Sequence, residues 1–189
     1  MKMKILKSFI LVNCCLFLTA CVNQVSSSST FQIPNKIRFE GKEYVKASHN
    51  QLDEMQHLLY LPDDEKVNPE HWQQGILIFL DKNSQHKTLA QRLALREKIF
   101  KQQPKTIAKL QVVNDELRSE ILYPPTQREQ NIQLDVSRGR NLDCGFAEIQ
   151  YATKRSYFAK NLQNLTAYKN DIAKLMQKFN QLAWQIACQ

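Results

Sequence analysis

Between Pro104 and Tyr151 the apolar residues recur every second position, and this pattern constrains the fold more than any other feature of the chain. Ala108, Leu110 and Val112 form one alternating set, and Asn114-Asp115 follows as a hairpin turn. Leu117 to Tyr123 returns and is stopped by Pro124-Pro125. Ile132, Leu134 and Val136 alternate against Gln133, Asp135 and Ser137. Arg138-Gly139-Arg140-Asn141 then reads as a turn, and Cys144 to Tyr151 as the last strand. Four antiparallel strands in succession make a meander, whose apolar face has to be covered.

The segments before Pro104 supply further strands and one helix. Ile37–Glu40 and Glu43–Lys46 flank a turn at Gly41-Lys42, and Met55–Leu61 is a strand ending at Pro62. Asn68-Pro69-Glu70-His71-Trp72 has a capping residue, then proline, then an acid, which predicts a short helix. Gly75–Leu80 is continuously apolar and predicts a central strand buried on both faces. Thr88 with Gln91 makes a capping box. The helix it opens carries Leu89, Leu93 and Phe100 on one side and Lys87, Arg92, Arg96, Lys98 and Lys101 as a basic outer surface.

Leu165, Tyr168, Ile172, Leu175, Phe179, Leu182 and Ile186 are spaced alternately by three and four, which predicts a long amphipathic C-terminal helix. Docking on the sheet is its expected use, with coiled-coil pairing the alternative. The expected fold is therefore α+β: an antiparallel sheet with a C-terminal meander, covered by one middle helix and the long last helix. Tyr60-Leu61-Pro62, the acidic loop after it, Trp72 and the strand Ile76–Leu80 resemble the PsbP-like α+β sandwich, whose members are commonly non-catalytic binding or assembly factors.

The N-terminus carries an address. Lys2, Lys4 and Lys7 precede the apolar stretch Phe9–Leu18, which is shorter than the roughly 20 residues a membrane-spanning helix needs. Leu18-Thr19-Ala20-Cys21 follows and resembles the lipobox of bacterial lipoproteins. That resemblance implies cleavage before Cys21, and a diacylglyceryl thioether plus an N-acyl chain such as palmitate on Cys21. Val22 stands where lipoproteins retained at the inner membrane carry Asp. The implied location is the outer membrane, with the domain in the periplasm. The expected organisation is a signal peptide over 1–20, a lipidated and serine-rich tether over 21–30, and one domain over 31–189.

Losing residues 1–20 removes three lysines and no acids, lowering the formal charge from +8 to +5. Such a balance suits anionic lipid or another anionic polymer, and export argues against nucleic acid. Cys144 and Cys188 then remain beside the lipidated Cys21. An oxidising compartment favours their pairing; two separate buried thiols are the alternative.

No H-E-x-x-H, G-x-S-x-G or phosphate-binding glycine loop occurs. His49, Asp53 and His57 would share a face only if their segment were one strand, so no metal site is expected. Asp63-Asp64 and Asp115-Glu116 read as solvated turn residues. No catalytic residue, metal or cofactor is predicted. Arg128, Arg138, Arg140 and Asp143 are the candidate binding residues, because arginine's planar fork suits carboxylate and phosphate groups. The expected role is non-catalytic binding, scaffolding or assembly with an envelope protein or polymer. The rivals are small-ligand binding between sheet and helix and, behind it, a hydrolase without a recognisable motif.

Overall fold

The computed structural model describes residues 29–64, 68–156 and 165–189. Cys21 and its flanking signal and tether residues 1–28 lie outside them. The strands are β1 (Phe31–Gln32), β2 (Lys36–Phe39), β3 (Lys42–Leu52), β4 (Met55–Pro62), β5 (Gln74–Asp81), β6 (Ile107–Val113), β7 (Glu116–Tyr123), β8 (Asn131–Leu142), β9 (Gly145–Ser156) and β10 (Ala187–Cys188). Helix α1 spans Leu89–Lys101 and α2 spans Lys169–Phe179. Eight strands form one antiparallel sheet in the order β2-β3-β4-β5-β9-β8-β7-β6, and β1 pairs separately with β10.

This corrects the expected α+β balance. Strand accounts for 49% of the described residues and helix for 18%, so they are mostly β, built on one curled sheet. The long C-terminal helix is cut short: α2 has 11 residues and ends at Phe179. Leu182 and Ile186 keep the helical spacing without the helix, since the non-helical segment after Asn180 still lays both against the core. Arg138 Nη1 donates to the carbonyls of Phe179 at 3.3 Å and Leu182 at 2.7 Å, occupying acceptors at the helix end.

The meander is present, but one turn moves. β8 runs through Arg138-Gly139-Arg140-Asn141 to Leu142, and the turn falls at Asp143-Cys144 before Gly145. The glycine that imitates a turn is there for space. A Cβ on Gly139 would sit 2.6 Å from Phe146 Cζ. Gly145 is the residue whose backbone needs glycine, with φ +132°. The expected helix at Asn68–Trp72 is also absent. Asn68 Oδ1 accepts from Glu70 N–H at 3.0 Å, which closes a single turn.

One sheet face buries Phe39, Tyr44, Leu58, Tyr60, Ile76, Ile78, Leu134, Val136, Ile149 and Tyr151 beneath α2, which adds Ile172, Met176 and Phe179. Burial pushes the Tyr60 hydroxyl up to about 12, and it donates to the Pro34 carbonyl at 2.7 Å. On the opposite face α1 packs mainly against β6 and β7. Its capping box is formed as expected: Gln91 N–H donates to Thr88 Oγ1 at 3.2 Å, and Thr88 N–H donates to Gln91 Oε1 at 2.8 Å. Arg92 and Arg96, expected on the outer surface, turn toward the sheet, while Leu95 and Ile99 are exposed. Each arginine has an acceptor on the sheet side, and Arg92 also lies 4.0 Å above the Phe146 ring.

Cys144 and Cys188 stand in geometry compatible with a disulfide, their Cα atoms 5.6 Å apart. The link joins the β8–β9 turn to β10, rather than to the end of a helix. Among the described residues no helix is long and apolar enough to cross a membrane.

Candidate functional site

The four predicted binding residues are divided by the fold. Arg128 is exposed in the loop before β8, and Asp143 lies in the turn after it, so the length of a 12-residue strand separates them. Arg138 and Arg140 do come together, on a carboxylate that local reading placed in solvent. Glu116 is 1% exposed and accepts from Arg138 Nη2 at 2.6 Å, Arg140 Nη2 at 2.5 Å and Arg118 Nε at 2.9 Å. Burial alone would raise its carboxyl, but the three guanidinium groups outweigh that and hold it at about 2. Arg140 also lies 4.6 Å from the Trp184 ring centre. These contacts make the cluster a structural clamp between the sheet and the end of α2. Cross-strand register places Arg118 opposite Arg138, which no local pattern reveals.

The other face holds a trough that the sequence did not announce. Because α1 packs mainly on the β6–β7 side and reaches β5 and β9 through Arg92 and Arg96, a crevice stays open over β3, β4, β5 and β9. Leu59, Leu77 and Phe79 are half-buried along its floor, which corrects the expectation that β5 is buried on both sides. Ser48, Asn50, His57 and Gln150 supply polar groups around them, and the crevice holds about 430 Å³. His57 packs edge-on against Phe79 with ring centres 4.9 Å apart. His49 is bonded to Gln56 Oε1 at 3.0 Å, and no metal-binding group of three ligands occurs among the described residues.

Arg96 and Glu148 form a crossbar over the trough; Arg96 Nη2 contacts Glu148 Oε2, and Nη1 donates to Ser119 Oγ at 3.2 Å. Beyond the crossbar lies a second chamber of about 200 Å³ against α1, bordered by Ile99, Phe100, Ile121, Tyr123, Asp135 and Ser137. Asp135 is 3% exposed, and its partners are neutral amides: Gln133 Nε2 at 2.9 and 3.1 Å and Gln150 Nε2 at 2.7 Å. Burial pushes its carboxyl up to about 7; the Gln133 amide opposes this, and the Glu148 charge adds to it. Burial, with a smaller contribution from Asp135, pushes the Tyr123 hydroxyl up to about 12. Ser137 Oγ is buried with no hydrogen-bond partner among the described residues. A buried carboxyl, an unpaired buried hydroxyl and apolar walls give this chamber acceptors to offer a ligand.

Residues 31–184 match the model of one protein family. A Haemophilus influenzae protein, described only as an uncharacterized protein, is 25% identical over 189 residues, a match covering 92% of this chain and 94% of that protein. No solved structure matches the chain.

Proposed function

The chain belongs to the family matched over residues 31–184, and we propose that it is a lipid-anchored envelope protein that binds a small ligand in the trough, without transforming it. The anchor reading rests on Lys2, Lys4 and Lys7, the apolar stretch and the lipobox-like Leu18-Thr19-Ala20-Cys21. Acyl chains on Cys21 hold the protein to the outer membrane, with the domain in the periplasm. That compartment keeps Cys144 and Cys188 joined. One observation carries the binding reading: part of a sheet face is left uncovered by α1 and forms an apolar-floored, polar-rimmed crevice of about 430 Å³. Ligand sites commonly enclose roughly 300–1,000 Å³.

The test is thermal stabilisation of the membrane-extracted chain across a metabolite panel, beside Leu77→Trp, whose indole fills the floor. A ligand that stabilises the native chain and not the variant supports the reading; a flat panel refutes it. The intact mass of the same material tests the anchor. A mass of Cys21–Gln189 plus three acyl chains is expected, and a mass without lipid overturns it.

A second reading, scaffolding of an envelope partner, draws on β6. This edge strand pairs only with β7 and carries Val112 at 39% exposure, so it can accept a partner's strand. Cross-linking through a photoreactive residue at Gln111 that captures no envelope protein or polymer would count against it.

A further inference from the structure

We propose that the chamber behind the Arg96–Glu148 crossbar recognises a primary ammonium group carried on a short apolar stem; this rests on reading the trough as a ligand site. The charges facing the chamber do not balance. Asp135 from β8 and Glu148 from β9 face it with one cation, Arg96 from α1, which Glu148 engages. Lys154 of β9 is engaged outside the chamber, its Nζ 3.4 Å from Glu129 and 4.5 Å from the Trp72 ring centre, and its charge reaches Asp135 only at longer range, partly opposing the rise in that carboxyl. Tyr123 of β7 is neutral at physiological pH. Asp135 is therefore bonded by amides alone, with no cation in ion-pair contact among the described residues.

Ser137 is the independent observation. The residue is 3% exposed, and its buried hydroxyl borders the same chamber and has no partner among the described residues. Buried hydroxyls are ordinarily satisfied, so an unsatisfied one facing a cavity marks a missing hydrogen-bond partner, and its lone pairs can accept from an N–H donor. An ammonium brings three N–H donors and one positive charge. That matches the two carboxylates and the hydroxyl in kind, and it cancels the surplus negative charge. Ile99, Phe100 and Ile121 suit a hydrocarbon stem and make a bare metal ion a poor occupant. The volume, about 200 Å³, is close to that of six or seven waters and limits the stem to a few carbons.

The chamber also sets a pH dependence. The Asp135 carboxyl sits at about 7, so an ammonium has to displace its proton, and affinity should rise about tenfold between pH 6 and pH 8.

Isothermal titration of the full chain in detergent with n-butylammonium chloride tests this, with n-butanol and sodium butyrate as controls of equal stem length. One-site binding of n-butylammonium is expected, about tenfold weaker at pH 6 than at pH 8. Asp135→Asn should cost at least tenfold, and Ser137→Ala several-fold with its melting temperature retained. Equal affinity for n-butanol, or no heat with the propyl, butyl and pentyl ammonium salts, overturns the proposal. Neither result depends on a variant folding. A neutral or anionic panel compound that stabilises the native chain but not Leu77→Trp, with no response to alkylammonium, overturns the ammonium assignment and leaves the trough reading standing.

Discussion

Replacing Glu116 by glutamine removes the charge on which three arginines converge. Arg138 has a side chain only 7% exposed, and Arg118 is 20% exposed, so neither guanidinium can be hydrated in place once the carboxylate is gone. Removing one partner of a buried ion pair costs about 3–5 kcal/mol. The protonation equilibrium gives a second measure: holding a carboxyl at about 2 instead of 4.5 corresponds to about 3 kcal/mol. That is an upper limit, because the Arg140 side chain is 37% exposed and solvent screens its share. The expected loss at pH 7 is therefore about 2–4 kcal/mol. The sign of the pH dependence follows from the lowered folded-state value. The stabilisation is complete above about 4.5 and is lost as pH falls toward about 2. Urea denaturation at pH 7, and again from pH 5 to pH 2, measures both effects. The native chain should weaken steeply on that acid limb, and Glu116→Gln should weaken less. A variant within about 0.5 kcal/mol of the native chain at pH 7, or with an unchanged acid limb, would mean that Glu116 does not hold the three arginines in place.

Asp135 should show the opposite pH dependence. Its folded-state value is raised to about 7, so native stability falls as pH rises from about 4 to 7; Asp135→Asn should gain on the native chain by about 3 kcal/mol over that range, read by denaturation at pH 4 and pH 8. Cys188→Ser opens a link between residues 44 apart and should cost about 4 kcal/mol by chain entropy, seen as a lowered denaturation midpoint. Gly145→Ala would place a Cβ 2.2 Å from the Asp81 carbonyl oxygen at φ +132°, and should lose more than about 3 kcal/mol or fail to accumulate folded. Thr88→Ala removes the α1 cap and should cost only about 1 kcal/mol by the same assay.

Features settled within a few residues could be read directly from the chain. The capping box needs only Thr88 and Gln91, and the Asn114-Asp115 turn needs two residues able to take positive φ, which they have at 51° and 56°. Alternation located β6 and β8, because a half-buried strand imposes its period whatever it pairs with, and turn and proline signals located β7 and β9. The failures lie where distant partners decide. Arg-Gly-Arg-Asn resembles a turn in isolation, yet Glu116 buries both arginines and Phe146 needs the gap at Gly139. Arginines on α1 look solvent-facing until Asp81 and Glu148 are seen beneath them. The helical spacing of Leu182 and Ile186 survives in a segment that is not helical, since burial alone preserves it. Of the predicted binding residues, Arg138 and Arg140 converge on Glu116, and Arg128 stands apart from them. The trough was illegible for a simpler reason. With the chamber beside it, its residues come from six strands and one helix, and none is unusual on its own element.

If the protein is held by its N-terminal side, as proposed, the small β1–β10 pair has a mechanical consequence. Thr30 and Gln189 exchange two backbone hydrogen bonds of 2.9 Å, and only β10 is covalently secured by the Cys144–Cys188 link. Tension arriving through Ser29 would therefore peel residues 30–35 away one bond at a time, with Tyr60 releasing Pro34 last, before β2 feels any load. That release lengthens the reach by about 20 Å while the eight-stranded sheet stays whole. Phe31 and Ile33 of this segment pack against the core, so peeling it uncovers apolar surface that favours its return.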